Sequence, residues 1–375
     1  MKKKVLFLIE CMSIGGAEKV LIDLVNNLDK NKYNITVMMV FKYNTYGERE
    51  FIFNKYFDEN INVKYMFNNK FDLGYRLYNV ILNRIDNRVI HKIFIGNKYD
   101  IEIAFYEGLP TKIISKSNNA KSFKIAWLHT DSGNRTVKFS GNMIQKENMM
   151  YKRFNKIIAV SKAVEKSFNN IHSNISNTCV KYNPIDTNEI IFRSQESIDI
   201  DFLGELKLIA IGRLVEVKGF ERLINVVKRL SDENYNIGLT IIGDGPLKDN
   251  LKQIIKLNNI EEMVNVIGFK KNPYKYLKKS DVLVCSSFAE GYSTVALEAI
   301  TLNIPIITTK CSGMEEVFGD RECGIICDNS ENGLYEAIKE ILTKKCLINK
   351  FKQECKLRSV DLRIDNTIKK IEEIL

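Results

Sequence analysis

Histidine is scarce in this chain of 375 residues, which has only His91, His129 and His172. Its eight cysteines are scattered; only Cys323 and Cys327 stand close together, and no second pair completes a zinc-ligand set. A Cys/His metal centre is therefore not expected, and the cysteines read as small buried thiols of a reducing compartment. No apolar run reaches the roughly 18 residues a membrane-crossing helix needs. The start, MKKKVLFLIECM, is basic and then apolar, as a signal peptide is. Its apolar run is short, it lacks a small-residue cleavage site, and Gly15-Gly16 with an amphipathic stretch follows, so it reads as a first β-strand. The pattern G-x-G-x-x-G is missing, and the second strand, NITVMMVFKYN, does not end in the acid that holds an NAD ribose. Both absences argue against a dinucleotide dehydrogenase. There is no helix-turn-helix, RNA-recognition or zinc-finger signature, no repeat and no low-complexity tail, so nucleic acid is not an expected partner.

What is present is a soluble, globular composition, 45% apolar and 27% charged, on a chain long enough for two cores. The net charge of +10 is uneven. Residues 1–185 hold 29 Lys and Arg against 16 Asp and Glu, whereas the remainder holds 27 against 30. A basic first half suits an anionic surface or substrate, and anionic lipid fits better than nucleic acid. Short apolar runs alternate with helical patterns: KVLFLI, NITVMMVF, INVKYMF, YDIEIAF, FKIAWLH, KIIAV and CVKY, then KLIAIG, GLTIIG, VNVIGF, DVLVCS, IPIITT and GIICD. Such alternation predicts α/β architecture, with parallel sheets flanked by helices. The polar stretch between the two sets divides the chain into two doubly wound, Rossmann-like domains, residues 1–185 and 186–355. Ligands would bind at the carboxyl ends of the strands, in a cleft between the domains.

Several motifs carry chemistry. In SSFAEGYSTVALEAI a strand is followed by a turn, and Ser293 or Thr294 can cap a helix running through ALEAITL. Glu290 lies before that helix and Glu298 in its second turn. Eight helical residues rise about 12 Å, so the two acids cannot share one proton but could touch two ends of an elongated ligand. The helix N-terminus between them attracts an anion. A nucleotide-diphosphate sugar has that shape; a surface acid and a helix acid of no consequence is the alternative. In IGRLVEVKGFERLI, Arg213 and Lys218 follow a strand, where either phosphate binding or a solvated turn would use them. Gly15-Gly16 before the first amphipathic stretch allows close backbone approach to a phosphate. His129, in KIAWLHTDSG, follows a buried-type strand. Asp199 and Asp201 form a D-x-D pattern inside the linker and are set aside as metal ligands.

Taken in order, GGAE, His129 after a strand, NPID near the domain junction, GRL-x3-KG, GDGP and EGYSTVALE resemble a retaining GT-B glycosyltransferase of glycosyltransferase family 4, over nearly the whole chain. The resemblance implies that Glu290 holds donor-sugar hydroxyls, that Glu298 binds the ribose, and that Arg213 and Lys218 bind and stabilise the leaving diphosphate. It implies backbone donors at Gly291, Tyr292, Ser293 and Thr294, a phosphate approach at Gly16, an orienting role for His129 beside sugar and acceptor, and a base contact at Phe269. It further implies a last segment, residues 356–375, crossing back to the N-terminal domain, and retention of configuration. No separate nucleophile is evident, which favours same-face attack assisted by the leaving phosphate. No cofactor and no metal are expected, since side-chain cations and backbone donors can take the charge. Uridine diphosphate is the expected nucleotide by family habit.

The acceptor would be a saccharide, lipid-linked, in surface polysaccharide biosynthesis. FDLGYRLYNVILNRIDNRVIHKIFIGNK mixes apolar residues at helical spacing with Arg76, Arg84, Arg88, Lys92 and Lys98, and KENMMYKRFNK is a second such patch. Either could rest on anionic headgroups or simply pack its apolar side on the sheet. The expected location is cytoplasmic, peripheral on the inner face of the membrane. Three other readings stay open on sequence alone. They are a non-catalytic sugar-nucleotide-binding scaffold, a GT-B sugar-nucleotide epimerase, and a nucleic-acid binder.

Overall fold

The computed structural model describes residues 1–12, 15–42, 56–67, 85–131, 133 and 141–375. It divides the chain into two compact units, Met1–Pro184 with Thr367–Leu375, and Ile185–Asn366.

The first unit is built on seven described strands: β1 (Lys3–Ile9), β2 (Tyr33–Phe41), β3 (Asn62–Phe67), β4 (Ile101–Ala104), β5 (Phe123–Leu128), β6 (Lys156–Ala159) and β7 (Thr178–Val180). They lie in the order β3-β2-β1-β4-β5-β6-β7, and every pairing is parallel. The middle of the sheet is buried on both faces. Val5 to Leu8 and Val37 to Phe41 are all covered, which is why these strands read as unbroken apolar runs rather than alternating ones. The helix Gly16–Asn27 packs Val20, Leu21, Leu24 and Val25 inward, a 3.6-residue stripe that matches one face of the sheet.

The second unit carries β8 (Leu206–Ile211), β9 (Ile237–Ile242), β10 (Val264–Gly268), β11 (Val282–Cys285), β12 (Ile306–Thr309) and β13 (Gly324–Cys327). Their order is β10-β9-β8-β11-β12-β13, again parallel throughout. The helix Phe220–Asp232 seats Phe220, Leu223, Ile224, Val227 and Leu230 against Leu208, Ala210, Leu239 and Ile241. All thirteen apolar runs predicted as strands carry a strand.

One boundary differs from expectation, and one expected helix is described only in part. The returning segment was expected from residue 356, but residues 356–366 stay with the second unit. Arg358 anchors them there, donating through Nε to Val317 O at 3.0 Å and through Nη2 to Glu316 O at 3.2 Å. Only from Thr367 does the chain belong to the first unit. There Glu372 accepts from the Asp29 backbone at 2.9 Å and pairs with Lys32, and Lys3 Nζ reaches Leu375 O at 2.7 Å. The long amphipathic pattern of residues 73–94 is described only from Ile85; its helix runs Asn87–Phe94, capped by Asp86, while Arg76 and Arg84 fall outside the described residues.

Candidate active site

In each sheet the strand order reverses at one place, between β1 and β4 in the first and between β8 and β11 in the second. Open parallel sheets bind ligands beyond the carboxyl ends of the strands at such a point. β8 is followed by Gly212, the exposed Arg213 and a 3-10 turn, Glu216–Lys218. β11 is followed by Ser286 to Glu290. The adjacency of these strands brings the two loops together. The Phe288 backbone donates to Val217 O at 2.8 Å, and Ser286 Oγ donates to Lys218 O at 2.9 Å.

On that frame Lys218 Nζ donates to Glu290 Oε1 at 2.7 Å, and Ser287 Oγ donates to the same oxygen at 2.6 Å. The side chains are 27% and 11% exposed, enough to meet a ligand and dry enough to strengthen the attraction. Burial works against the Lys218 ammonium, but Glu290 outweighs it, and the net displacement of the Lys218 pKa is upward. Cys285, at the end of β11, is pushed up to about 12 by burial and by Glu290, so it sits beside the pair as a neutral thiol.

The helix Thr294–Thr301 begins immediately beyond. Ser293 caps it, accepting from Ala296 N at 3.4 Å. Tyr292 is buried, and that burial raises its phenol to about 12. Gly291 joins it to Glu290. Glu298 is the fifth residue of this helix, 4% exposed, and accepts from Tyr274 OH at 3.4 Å. Phe269, half-buried, follows β10, which β9 separates from β8. Arg213, Lys218, Phe269, Glu290 to Thr294 and Glu298 thus belong to one unit, and of these Lys218 and Glu290 are joined directly. Asp199, of the linker D-x-D, is taken up by the Tyr276 hydroxyl and by Lys270 at 2.9 Å. A cavity of about 630 Å³ beside the helix Glu331–Thr343 contains none of these residues.

The first unit holds the remaining two. Gly16, exposed, opens the helix after β1, with Gly15 in extended backbone. His129, just past β5, is wedged among Phe105, Tyr106 and Trp127, at ring-centroid distances of 4.8, 5.7 and 6.4 Å. Burial lowers its pKa to about 3, so the imidazole is neutral near pH 7. Its Nε2 is buried without a hydrogen-bond partner among the described residues.

Two residues in direct contact with the candidate residues escaped the sequence reading. Glu107, just past the switch strand β4, accepts at Oε1 from His129 N, Thr130 N and Thr130 Oγ1, each at 2.9 Å. Its other oxygen is buried and unpartnered among the described residues, and burial raises the carboxyl pKa. Only its place between an apolar strand and the Gly-Leu-Pro start of a helix marks it in the sequence. Ser287, the second hydrogen-bond donor to Glu290, looks like any small loop residue.

Residues 195–358 match the family model described as Glycosyl transferases group 1. That match lies within the second unit. Among curated relatives, the chain is 33% identical over 182 residues to the N-acetylgalactosamine-N,N'-diacetylbacillosaminyl-diphospho-undecaprenol 4-alpha-N-acetylgalactosaminyltransferase of Campylobacter jejuni, the match covering 48% of each chain. It is 29% identical over 171 residues to the amylovoran biosynthesis glycosyltransferase AmsD of Erwinia amylovora, covering 45% of this chain and 48% of that one. The chain therefore spans about half the length of these two relatives. The structure of Anabaena Alr3699/HepE in complex with UDP-glucose superposes with a TM-score of 0.73 over 99% of this chain and 98% of that one. At 18% identity that likeness is one of fold, and the fold is GT-B.

Proposed function

We propose that this protein is a retaining hexosyltransferase that moves a sugar from a nucleotide-diphosphate donor, a UDP-sugar, to a lipid-linked saccharide during surface polysaccharide biosynthesis. The observation that carries the reading is the Lys218–Glu290 pair, 2.7 Å apart beside a capped helix N-terminus at the sheet's switch point. The family match over these residues and the UDP-sugar in a protein of the same fold support it. The lipid-diphosphate acceptor in the name of the Campylobacter relative supports the acceptor class.

In this reading Glu290 turns from Lys218 to accept hydrogen bonds from donor-sugar hydroxyls. Lys218, released, joins Arg213 and the N-terminal donors at Gly291 to Thr294 around the diphosphate. As the bond from the anomeric carbon to the phosphate oxygen breaks, negative charge grows on that oxygen. Fixed cations and amide dipoles lower the barrier because they need no reorganisation at that moment. The acceptor hydroxyl attacks the same face and passes its proton to the departing phosphate. This scheme gives the charge-stabilising role to side chains and backbone, without a metal. Glu298 holds the ribose and Phe269 the base. His129, neutral, orients sugar and acceptor through Nε2, and Gly16 allows close backbone approach to phosphate.

For the membrane, the helix Asn87–Phe94 and the residues just before it expose Ile85, Val89 and Ile93, interleaved with the exposed Arg88 and Lys92. Met143 and Met149 are exposed on the helix Gly141–Tyr151. Apolar residues interleaved with cations fit a peripheral protein resting on anionic lipid on the cytoplasmic face. The test of the whole reading is product analysis. The protein is incubated with a panel of UDP-sugars and undecaprenyl-diphosphate-linked saccharides, and any product is examined by NMR. A product with the donor's anomeric configuration is expected; an inverted product would end the retaining assignment, and consumption of donor without acceptor to give an isomeric UDP-sugar would make the protein an epimerase.

A further inference from the structure

Arg222 is 7% exposed, in the first turn of the helix Phe220–Asp232, and its partners are backbone carbonyls and an amide rather than a carboxylate. Nε donates to Ser286 O at 2.9 Å, and Nη2 to Ser286 O at 2.5 Å, Ser287 O at 2.9 Å and Asn329 Oδ1 at 2.8 Å. The guanidinium lies 3.8 Å from the Phe288 ring centroid. Asn329 closes the circuit, donating from Nδ2 to Phe288 O at 3.0 Å. Burying a guanidinium is costly, and an apolar side chain would fill the space without that penalty. What distinguishes this one is the segment it grips.

Ser286 and Ser287 are the first two of the four residues between β11 and Glu290. Ser287 gives its carbonyl to Arg222 and its hydroxyl to Glu290, so one residue links the guanidinium to the acid. On the other side, Arg222 follows Lys218 by four residues, and the Lys218 carbonyl is itself held by Ser286 Oγ. Between them Gly219 adopts φ +62°, and a Cβ there would lie 2.2 Å from Ser286 O and 2.8 Å from Arg222 Nε. The turn is thus kept free of side chain where the guanidinium meets the strand end.

We propose that Arg222 is a positioning residue: by fixing the Ser286 and Ser287 carbonyls with a planar fork, it holds Glu290 and Lys218 in register for the donor. The inference rests on the donor-site reading of that pair. Arg222→Lys keeps the charge and loses the fork; Asn329→Ala removes one of the four guanidinium hydrogen bonds and serves should the first variant fold poorly. UDP release is followed with the UDP-sugar that the wild-type protein turns over fastest, and UDP affinity is measured by calorimetry. Arg222→Lys is expected to lower kcat by roughly 30- to 100-fold, the scale of a misplacement of about 1 Å, with UDP affinity changed by less than about threefold and a cooperative melt retained. Asn329→Ala should lower kcat in the same direction by about three- to tenfold.

A crystal structure of Arg222→Lys gives the second readout, in which the Lys218–Glu290 contact should open beyond the 2.7 Å of the parent. Wild-type kcat per folded molecule in both variants, or an unmoved pair in the crystal, would overturn the proposal and leave Arg222 a packing residue. Glu290→Gln is assayed alongside. Full turnover there would sink the donor-site reading itself, while the crystallographic distance would still decide whether Arg222 holds the pair.

Discussion

Lys218 and Glu290, 72 residues apart in the chain, meet at 2.7 Å because β8 and β11 are neighbours in the second sheet. The contact gives each of two half-dry charges its counter-charge. Removing either leaves the other without its counter-charge. Lys218→Ala and Glu290→Gln should each lower kcat by about 10²- to 10³-fold, as loss of a transition-state donor does. Each should also destabilise the fold by about 1.5–3 kcal/mol in urea titration. The double variant should lose less than the sum, because no orphan charge remains. Additive losses would mean that the pair is not coupled. Chelation with EDTA should leave the wild-type rate unchanged.

Gly219 offers a stability test with an internal control. Alanine there must hold φ +62° and place its Cβ 2.2 Å from Ser286 O. Gly268 has φ +75° as well, but a Cβ there meets nothing closer than Lys248 Nζ at 3.7 Å. Gly268→Ala should cost about 1–2 kcal/mol, the left-handed penalty alone. Gly219→Ala should cost at least about 2 kcal/mol more, from the strain of shifting backbone or guanidinium. Equal costs by urea unfolding would show that the turn relaxes freely.

His129 should make the fold acid-sensitive. Its folded pKa of about 3 lies below the ordinary histidine value of 6.5, so the unfolded chain binds the extra proton first. Its contribution is complete above pH 6.5 and declines as pH falls toward 3, by on the order of 1 kcal/mol per pH unit. Glu107, raised by burial, acts in the opposite sense: its contribution is present at low pH and is lost as pH rises. Replacing only the histidine isolates the first effect. His129→Asn should flatten the melting temperature between pH 6.5 and 5 relative to wild type. Parallel curves would mean that the imidazole is solvated in solution.

Glu107 should act chiefly through its three accepted hydrogen bonds. Glu107→Ala is expected to destabilise by about 1–3 kcal/mol and to lower kcat by loosening the end of β5. Glu107→Gln, which keeps an acceptor oxygen for the His129 and Thr130 amides, should recover most of the stability. Identical unfolding curves for the two variants would contradict this.

Membrane association should follow charge. Flotation with anionic vesicles should weaken between low and high salt, and Arg88→Glu with Lys92→Glu should weaken it by about 1 kcal/mol or more per site. Binding that ignores both salt and these substitutions would remove lipid from the account.

The strands were legible because a parallel sheet covered on both faces writes itself as consecutive Val, Ile, Leu and Phe, as in Val5 to Leu8. Glu290, Glu298, Arg213 and Lys218 could be singled out as candidates because a helix N-terminus and a Gly-rich turn leave local marks. Arg222 was not. In FERLINVV it reads as a solvated helix charge, and only the pairing of β8 with β11 puts Ser286 above it. Glu107 was missed for the same reason, since its partners lie 22 and 23 residues away across a strand pairing. The start of the returning segment differs from expectation because the contacts that hold residues 356–366 to the second unit, those of Arg358 with Glu316 and Val317, are long-range.

The most direct measurement is calorimetric titration of UDP into the wild-type protein and into Lys218→Ala and Glu298→Ala. The account expects saturable binding to the wild type and a loss of about tenfold or more in each variant, one through the diphosphate and one through the ribose. Equal UDP affinity in all three proteins would contradict it.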